Sequence, residues 1–252
     1  MAPIERIAIS SSGNSYYIRN INQDLHTKEG FISKEDIAAA KNGAIVKSNT
    51  GVEFAILAPS LADIYKKISR GPQIIPRKDL GFIVAETGMN KESIVLDAGA
   101  GSGAAACFFA MIAKEVFTYE VREDFLAIAQ KNIELMGLTN VTLKLGDVYK
   151  AIDEKDLDII VLDLSEPWNA VGNAAKALKA GGFLVAYSPT TPQVQDFVTE
   201  VSKHPGLMVI KVVEISEREW EVKERKVRPK SQAIGHSGFI VISRKVAEDY
   251  IY

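Results

Sequence analysis

The sequence predicts an α/β protein: a mostly parallel, doubly wound sheet preceded by a small β-domain. Three observations predict it. From residue 93 onward, short apolar runs alternate with helix-length amphipathic stretches. At Ser93–Ala106 a strand passes through a small-residue turn straight into a helix. Residues 1–70 carry only short alternating runs. The implied division is 1–70 and 71–252.

A chain of 252 residues has room for a core domain plus a small one. With 47% hydrophobic and 25% charged residues the composition is that of an ordinary soluble globular protein. A net charge of −2 gives no global positive field, so any nucleic-acid contact must use local patches. Cys107 is the sole cysteine, which excludes an internal disulfide; within A-A-A-C-F-F-A-M-I it reads as a packed thiol. No apolar run has membrane-spanning length, and no basic segment followed by an apolar one opens the chain. A cytoplasmic protein without a membrane partner is expected.

In the N-terminal module, runs at 7–9, 16–18, 44–46 and 52–57 read as strands. They are split by turn residues at Ser12-Gly13-Asn14, Asn42-Gly43 and Asn49-Thr50-Gly51. Ser33 can cap a short helix to Ala40, with Asp36 at its third position. His26 has no metal-ligand partner at usable spacing and reads as a surface side chain. Tyr65–Lys78, Y-K-K-I-S-R-G-P-Q-I-I-P-R-K, has five positive residues and no acid, and its Gly71-Pro72 and Pro76 mark an extended connector. Its cations either meet phosphate or are simply solvated.

The second domain opens with a helix at 79–87. Strands then fit at 93–97, 115–120, 141–146, 158–163 and 182–187, with helices at 103–114, 123–136, 169–179 and 191–203. Strands 207–215 and 238–243 have no helical period between them and are expected as an antiparallel pair at the sheet edge. In such sheets a ligand sits at the carboxyl ends of the strands.

Candidate site residues stand at those ends. Glycines at 99, 101 and 103 permit positive φ and bare main chain against a ligand. Two ligand classes use this geometry. Gly99-x-Gly101-x-x-Ala104 satisfies a dinucleotide fingerprint. S-adenosylmethionine (SAM) would instead lay its amino-acid end along Gly99, Gly101, Ser102, Gly103, Ala104 and Ala105, with Asp97 suited to its ammonium group. Glu120 closes the second strand about twenty residues beyond the glycine loop, where an acid reaches ribose hydroxyls. Asp147 closes the third strand, where it can accept from an adenine amino group while the Val148 N–H meets a ring nitrogen. Asp163 closes the fourth, in I-I-V-L-D-L-S-E-P-W. Any one of these acids could be a helix cap or a solvated strand end, but three in succession after a glycine loop are hard to dismiss. A dehydrogenase explains Glu120 yet gives no reason for Asp163-x-x-x-Pro167-Trp168.

Taken together, the D-A-G-A-G-S-G loop, Glu120, Gly146-Asp147 and D-L-S-E-P-W resemble class I (Rossmann-like) SAM-dependent methyltransferases, specifically the TrmI family of tRNA (adenine-N1)-methyltransferases. The resemblance spans essentially the whole chain. It includes P-T-T-P-Q-V at Pro189–Val194 and Arg228-Pro229 followed by His236-Ser237. Two departures stand out: Ser165 replaces a usual proline, and Pro76-Arg77 replace a Tyr-Pro pair before Lys78-Asp79, removing an aromatic ring from that wall of the site.

The resemblance implies SAM as cofactor, S-adenosylhomocysteine as product, no metal, and tRNA as substrate. The target it implies is adenine N1 in the T-loop, at position 58 and in archaeal-type members also 57. It further implies a homotetramer. Alkylating N1 puts positive charge on the ring, so a carboxylate accepting from the exocyclic amino group would orient the base and strengthen its contact as that charge develops. Asp163 is expected in that role and among the cofactor contacts, with Trp168 and Tyr187 either offering faces to the base or packed in the core. The best phosphate patch is Lys223–Lys230, with five positive residues against one acid. Arg225, Lys226, Arg228 and Lys230 are its candidate contacts, with His236 just beyond. Its structural alternative is a solvated loop. A nicotinamide-dependent oxidoreductase and a non-catalytic RNA-binding subunit are the competing readings; the intact glycines and all three carboxylates argue against the second.

Overall fold

The computed structural model describes residues 3–69, 71, 74–232 and 234–247. They divide into two units, Met1–Ile68 with Lys131–Gly137, and Ser69–Gln130 with Leu138–Tyr252.

In the first unit, β1 (Arg6–Ser10), β2 (Ser15–Ile18), β5 (Ala44–Lys47) and β6 (Glu53–Leu57) form an antiparallel sheet in the order β2-β1-β6-β5. Alternation buries Phe54 and Ile56 of β6 against Ala8, Ile18, Ile32 and Ile37. The hairpin of β3 (Leu25–Thr27) and β4 (Gly30–Ile32) was not evident from the sequence, because its strands are only three residues long. Helix α1 (Lys34–Ala39) is capped by Ser33, whose side chain accepts from the Asp36 N–H. Helix α2 (Leu61–Tyr65) carries a capping box from Ser60 and Asp63, so Tyr65 ends a helix rather than opening a connector. Of that connector, Arg70, Pro72 and Gln73 lie outside the described residues. His26 is exposed, its ring 5.8 Å from that of Phe31.

The second unit begins with α3 (Arg77–Thr87), two residues earlier than expected, because Pro76 takes the N-cap position. Then follow β7 (Ile94–Ala98), α4 (Ala104–Ala110), β8 (Glu115–Glu120), α5 (Glu123–Met136), β9 (Val141–Leu145) and β10 (Leu157–Leu162). A 3₁₀ turn at Pro167–Ala170 leads into α6 (Val171–Ala177), β11 (Leu178–Ser188), α7 (Thr191–Val201) and β12 (Leu207–Glu214). The expected helix to 179 stops at Ala177, where Leu178 turns extended and pairs with Leu157. The chain closes with a hairpin, β13 (Trp220–Lys223) and β14 (Lys226–Pro229), and β15 (Phe239–Lys245).

The seven-stranded sheet runs β12-β15-β11-β10-β7-β8-β9, with β15 antiparallel to both neighbours and the other pairs parallel. Both faces are covered. Leu96, Leu162 and Leu184 pack with Phe197 on one side, and Val95, Val161 and Val185 with Phe109 and Ile83 on the other. From β7 the chain winds outward through β8 and β9, then returns to lay β10 on β7's other side. The crevice between the ends of β7 and β10 is therefore a topological switch point. Among the described residues, no helix is long and apolar enough to cross a membrane.

Candidate functional site

The loop leaving β7 is shaped by backbone demands. Gly99 has φ +91°, and a Cβ there would lie 2.1 Å from the carbonyl oxygen of Asp163, so the β7 and β10 loops touch through bare main chain. Gly103 (φ +73°) precedes α4, and a Cβ there would lie 2.9 Å from that of Ala129. Ser102 is buried between these glycines, and Ala104 and Ala105 open α4. The loop is tied to β8 by the N–H groups of Gly99 and Ala100, which donate to the Tyr119 carbonyl at 3.1 and 3.0 Å.

Asp97 is fully buried. Its Oδ2 accepts from the Thr118 hydroxyl at 2.8 Å, while Oδ1 has no hydrogen-bond partner among the described residues. Burial pushes its carboxyl up to about 6, with Glu120 repelling its charge further. Asp163, just past β10, has its N–H on the Ala98 carbonyl at 2.9 Å. Burial, reinforced by the charge of Asp97, raises its carboxyl to about 7. No cation among the described residues offsets either shift. Two acids at neighbouring strand ends, Asp97 fully buried with an orphaned oxygen and Asp163 half-buried, form a site that favours a positively charged ligand.

Glu120 is buried at the end of β8 and accepts three backbone N–H groups: Gly101 at 2.8 Å, Val121 at 2.9 Å and Arg122 at 3.0 Å. A carboxylate has about four lone-pair sites, so one stays open for a hydroxyl. Asp147, after β9, accepts from the Tyr149 N–H at 3.0 Å through Oδ1, and Oδ2 stands 3.7 Å from Lys150. Gly99, Glu120, Asp147, Val148, Tyr149 and Ser165 line one pocket. Glu120, Asp147 and Val148, expected at a nucleoside, therefore meet there with Gly99 of the glycine loop, against which the Asp163 backbone lies. Among the described residues, no three His, Cys, Asp or Glu side chains are grouped to hold a metal ion.

The structure corrects three expectations. Tyr187 does not present an open face: it is 4% exposed, and its hydroxyl donates to Asp79 at 3.3 Å. A Cβ on Gly238 would sit 2.4 Å from its ring. Asp79, wholly buried, is held by Lys78 at 2.8 Å and the Ser237 hydroxyl at 2.9 Å, so Tyr187 belongs to a packed polar cluster. Trp168, in the 3₁₀ turn, is half-buried and remains the aromatic ring on the Asp163 loop.

The basic stretch 223–230 is not a plain loop but the β13–β14 hairpin. Pairing sets Glu221 opposite Arg228, which it meets at 2.9 Å, and Lys230 pairs with Glu219. Those two charges are answered within the hairpin. Arg225 and Lys226 at its turn have no acidic partner among the described residues. His236 is likewise engaged: Nδ1 lies 2.5 Å from Glu214 and Nε2 lies 2.8 Å from the Pro189 carbonyl. The Glu214 carboxylate and that carbonyl raise its pKa.

A mostly parallel sheet switching at a glycine loop, with acids at successive strand ends, defines a class I SAM-dependent methyltransferase fold. A solved SAM-dependent O-methyltransferase from Thermotoga maritima is similar at TM-score 0.87 and 29% identity, covering 98% of this chain and 94% of its own. The tRNA (m1A58) methyltransferase TrmI of Aquifex aeolicus is similar at TM-score 0.81 and 27% identity, covering 98% and 99%. The family model for the tRNA methyltransferase complex GCD14 subunit matches residues 57–244. The tRNA (adenine(57)-N(1)/adenine(58)-N(1))-methyltransferase TrmI of Methanocaldococcus jannaschii is 35% identical over 95% of this chain and 94% of its own. The tRNA (adenine(58)-N(1))-methyltransferase TrmI of Thermus thermophilus is 34% identical over 88% of each. The chain belongs to the GCD14/TrmI family of tRNA methyltransferases.

Proposed function

We propose that this protein transfers a methyl group from SAM to N1 of the adenine at position 58 in the T-loop of tRNA. The observation that carries the reading is the pair of acids at neighbouring strand ends, buried Asp97 and half-buried Asp163, both raised in pKa with no cation beside them among the described residues. The names of the relatives supply the acceptor.

The residues fit the cofactor. Asp97 Oδ1 would take its ammonium group, the main chain from Gly99 to Ala105 its amino-acid end, Glu120 a ribose hydroxyl, and Asp147 with the Val148 N–H the adenine edge. When bound, SAM supplies an electrophilic methyl carbon on a sulfonium, so the protein's task is in-line placement of the nucleophile. Asp163 performs it by accepting from the exocyclic amino group of the target adenine, an interaction that strengthens as alkylation makes the ring cationic. N1 lies on the pairing edge, so the base must be unpaired or flipped out, and Trp168 supplies a face for it.

Because a cationic ligand prefers an ionised carboxylate, SAM affinity is expected to rise as pH increases through about 6, where Asp97 ionises. The stability of the apoprotein is expected to follow the opposite trend. Carboxyls raised in the folded state stabilise it fully below their unfolded values, and that contribution is lost as pH rises through 6 to 7. Titration calorimetry from pH 5 to 8 checks the first trend and thermal denaturation the second; Asp97→Asn flattens both.

For tRNA, Arg225 and Lys226 are two cations of the hairpin turn without an acidic partner among the described residues. Changing both to alanine is expected to lower the slope of log affinity against log salt by about 1.4 to 1.8, since each lost phosphate contact removes about 0.7–0.9. An unaltered slope moves the footprint elsewhere. The same hairpin exposes Trp220 by 53%, Val222 by 69% and Val227 by 59%. Together with the small net charge, this supports a homotetramer in which several subunits grip one tRNA, which light scattering tests.

Incubating the protein with labelled SAM and unmodified tRNA, then mapping the modified nucleosides, tests the function itself. Label as 1-methyladenosine at position 58 is expected, and label also at 57 identifies the two-site specificity named for the Methanocaldococcus relative. No incorporation, or label in a ribose-methylated nucleoside, would overturn the assignment.

A further inference from the structure

Two segments that stand out in the sequence, Pro189–Val194 and His236–Ser237, line none of the nucleoside pocket, yet they converge on the loop that carries Asp163. The Gln193 Nε2 donates to the Ser165 carbonyl at 2.9 Å. That carbonyl can only accept, so the amide must turn its NH₂ toward it, leaving Oε1 to receive the Thr190 hydroxyl at 2.7 Å. Pro189, one residue earlier, is held through its carbonyl by His236 Nε2 at 2.8 Å, and His236 is braced on its far side by Glu214. From the opposite flank the Tyr149 hydroxyl accepts from the Glu166 N–H at 3.2 Å. The loop's backbone is thus pinned at Ser165 and Glu166 from two sides, two and three residues beyond Asp163.

We propose that Gln193, aimed by Thr190 and backed by His236 at Pro189, is a positioning residue for methyl transfer: it holds the Ser165 carbonyl and so sets the loop on which Asp163 meets the acceptor base. The proposal rests on the reading that Asp163 faces that base. Gln193 itself lines neither the nucleoside pocket nor the glycine loop; its one link to the pocket is the Ser165 carbonyl, while Asp97, Glu120 and Asp147 would hold the cofactor without it, so its contribution falls on turnover more than on cofactor binding. A shift of about 1 Å in a reacting geometry costs up to about 100-fold in rate, and a loop still pinned by Tyr149 shifts less.

The test compares Gln193→Glu, Gln193→Ala, Thr190→Val and Thr190→Ser with Asp163→Ala in single-turnover and steady-state assays. Gln193→Glu keeps the side chain's shape but sets a carboxylate oxygen against the Ser165 carbonyl. Both Gln193 variants are expected to lower kcat about 10-fold or more, with SAM affinity and tRNA KM within about twofold of the parent. Thr190→Ser, which keeps the donor, stays within about twofold, while Thr190→Val loses severalfold and adds nothing on top of Gln193→Ala. Parental kcat in both Gln193 variants, or a kcat loss matched by an equal loss of SAM affinity, would overturn the proposal. If those variants are active while Asp163→Ala is inactive, only this inference fails; if Asp163→Ala itself turns over normally, the reading of Asp163 fails first.

Discussion

Asp163→Ala is expected to lower kcat about 100- to 1000-fold while SAM affinity stays within about threefold. The split follows from what the carboxylate touches. Its backbone N–H is fixed to Ala98, so truncating the side chain leaves the crevice intact. Asp97, Glu120 and Asp147, which would hold the cofactor, keep their own partners at Thr118, Gly101 and Tyr149. The loss therefore falls on the step in which the adenine becomes cationic, where a preorganised negative charge is worth most. Removing an acid that desolvation raises to about 7 also relieves that penalty, so the variant should be no less stable than the parent near neutral pH. Stopped or quenched-flow turnover with calorimetric SAM binding measures both halves; comparable losses in kcat and affinity would assign Asp163 to cofactor binding instead.

Gly99→Ala is expected to be the most damaging single methyl group in the glycine loop. Its φ of +91° is strained for any L side chain, and the new carbon would lie 2.1 Å from the Asp163 carbonyl oxygen and 3.3 Å from Leu164. The nearer neighbour is backbone and cannot swing aside. Positive-φ strain of about 1–3 kcal/mol adds to a similar cost for forced backbone displacement, giving about 2–6 kcal/mol in all. At about 2–4 °C per kcal/mol for a chain of this size, the melting temperature should fall by about 4–24 °C. SAM binding should be lost with it, because the displaced β10 loop carries Ser165 of the pocket and Asp163 beside it. Gly101→Ala is the matched control. It has φ +51° and its nearest non-local heavy atom at 3.9 Å, so it carries only the conformational cost, about 1–2 kcal/mol. Equal destabilisation by the two variants would show that the β7–β10 contact is not what requires glycine at 99.

The parallel core was legible because its strands are buried on both faces and read as continuous apolar runs, as in Ile159–Leu162, between helices of clear period. Acids at strand ends were legible for the same reason: once the strands are placed, Asp97, Glu120, Asp147 and Asp163 fall at one edge of the sheet. What the sequence hides is pairing across the chain. Counted along 223–230, the basic stretch has one acid; folded as a hairpin it gains Glu219 and Glu221 from the facing strand, and two of its cations are answered. Tyr187 misleads in the same way, because nothing near it in sequence announces that Asp79 and Gly238 close around its ring. The contacts of Gln193 and His236 join segments 28 and 47 residues apart, a separation at which no local pattern carries information.

The central claim, that Asp163 works through the amino group of the target adenine, is open to a chemical double-mutant cycle. Transcripts carrying adenine or purine at position 58 are compared in single-turnover methylation by the parent protein and by Asp163→Ala. Purine lacks only the exocyclic amino group. The account predicts that purine slows the parent enzyme by roughly the same large factor as the mutation does, and that Asp163→Ala no longer distinguishes the two bases. Undiminished preference for adenine in Asp163→Ala would contradict it.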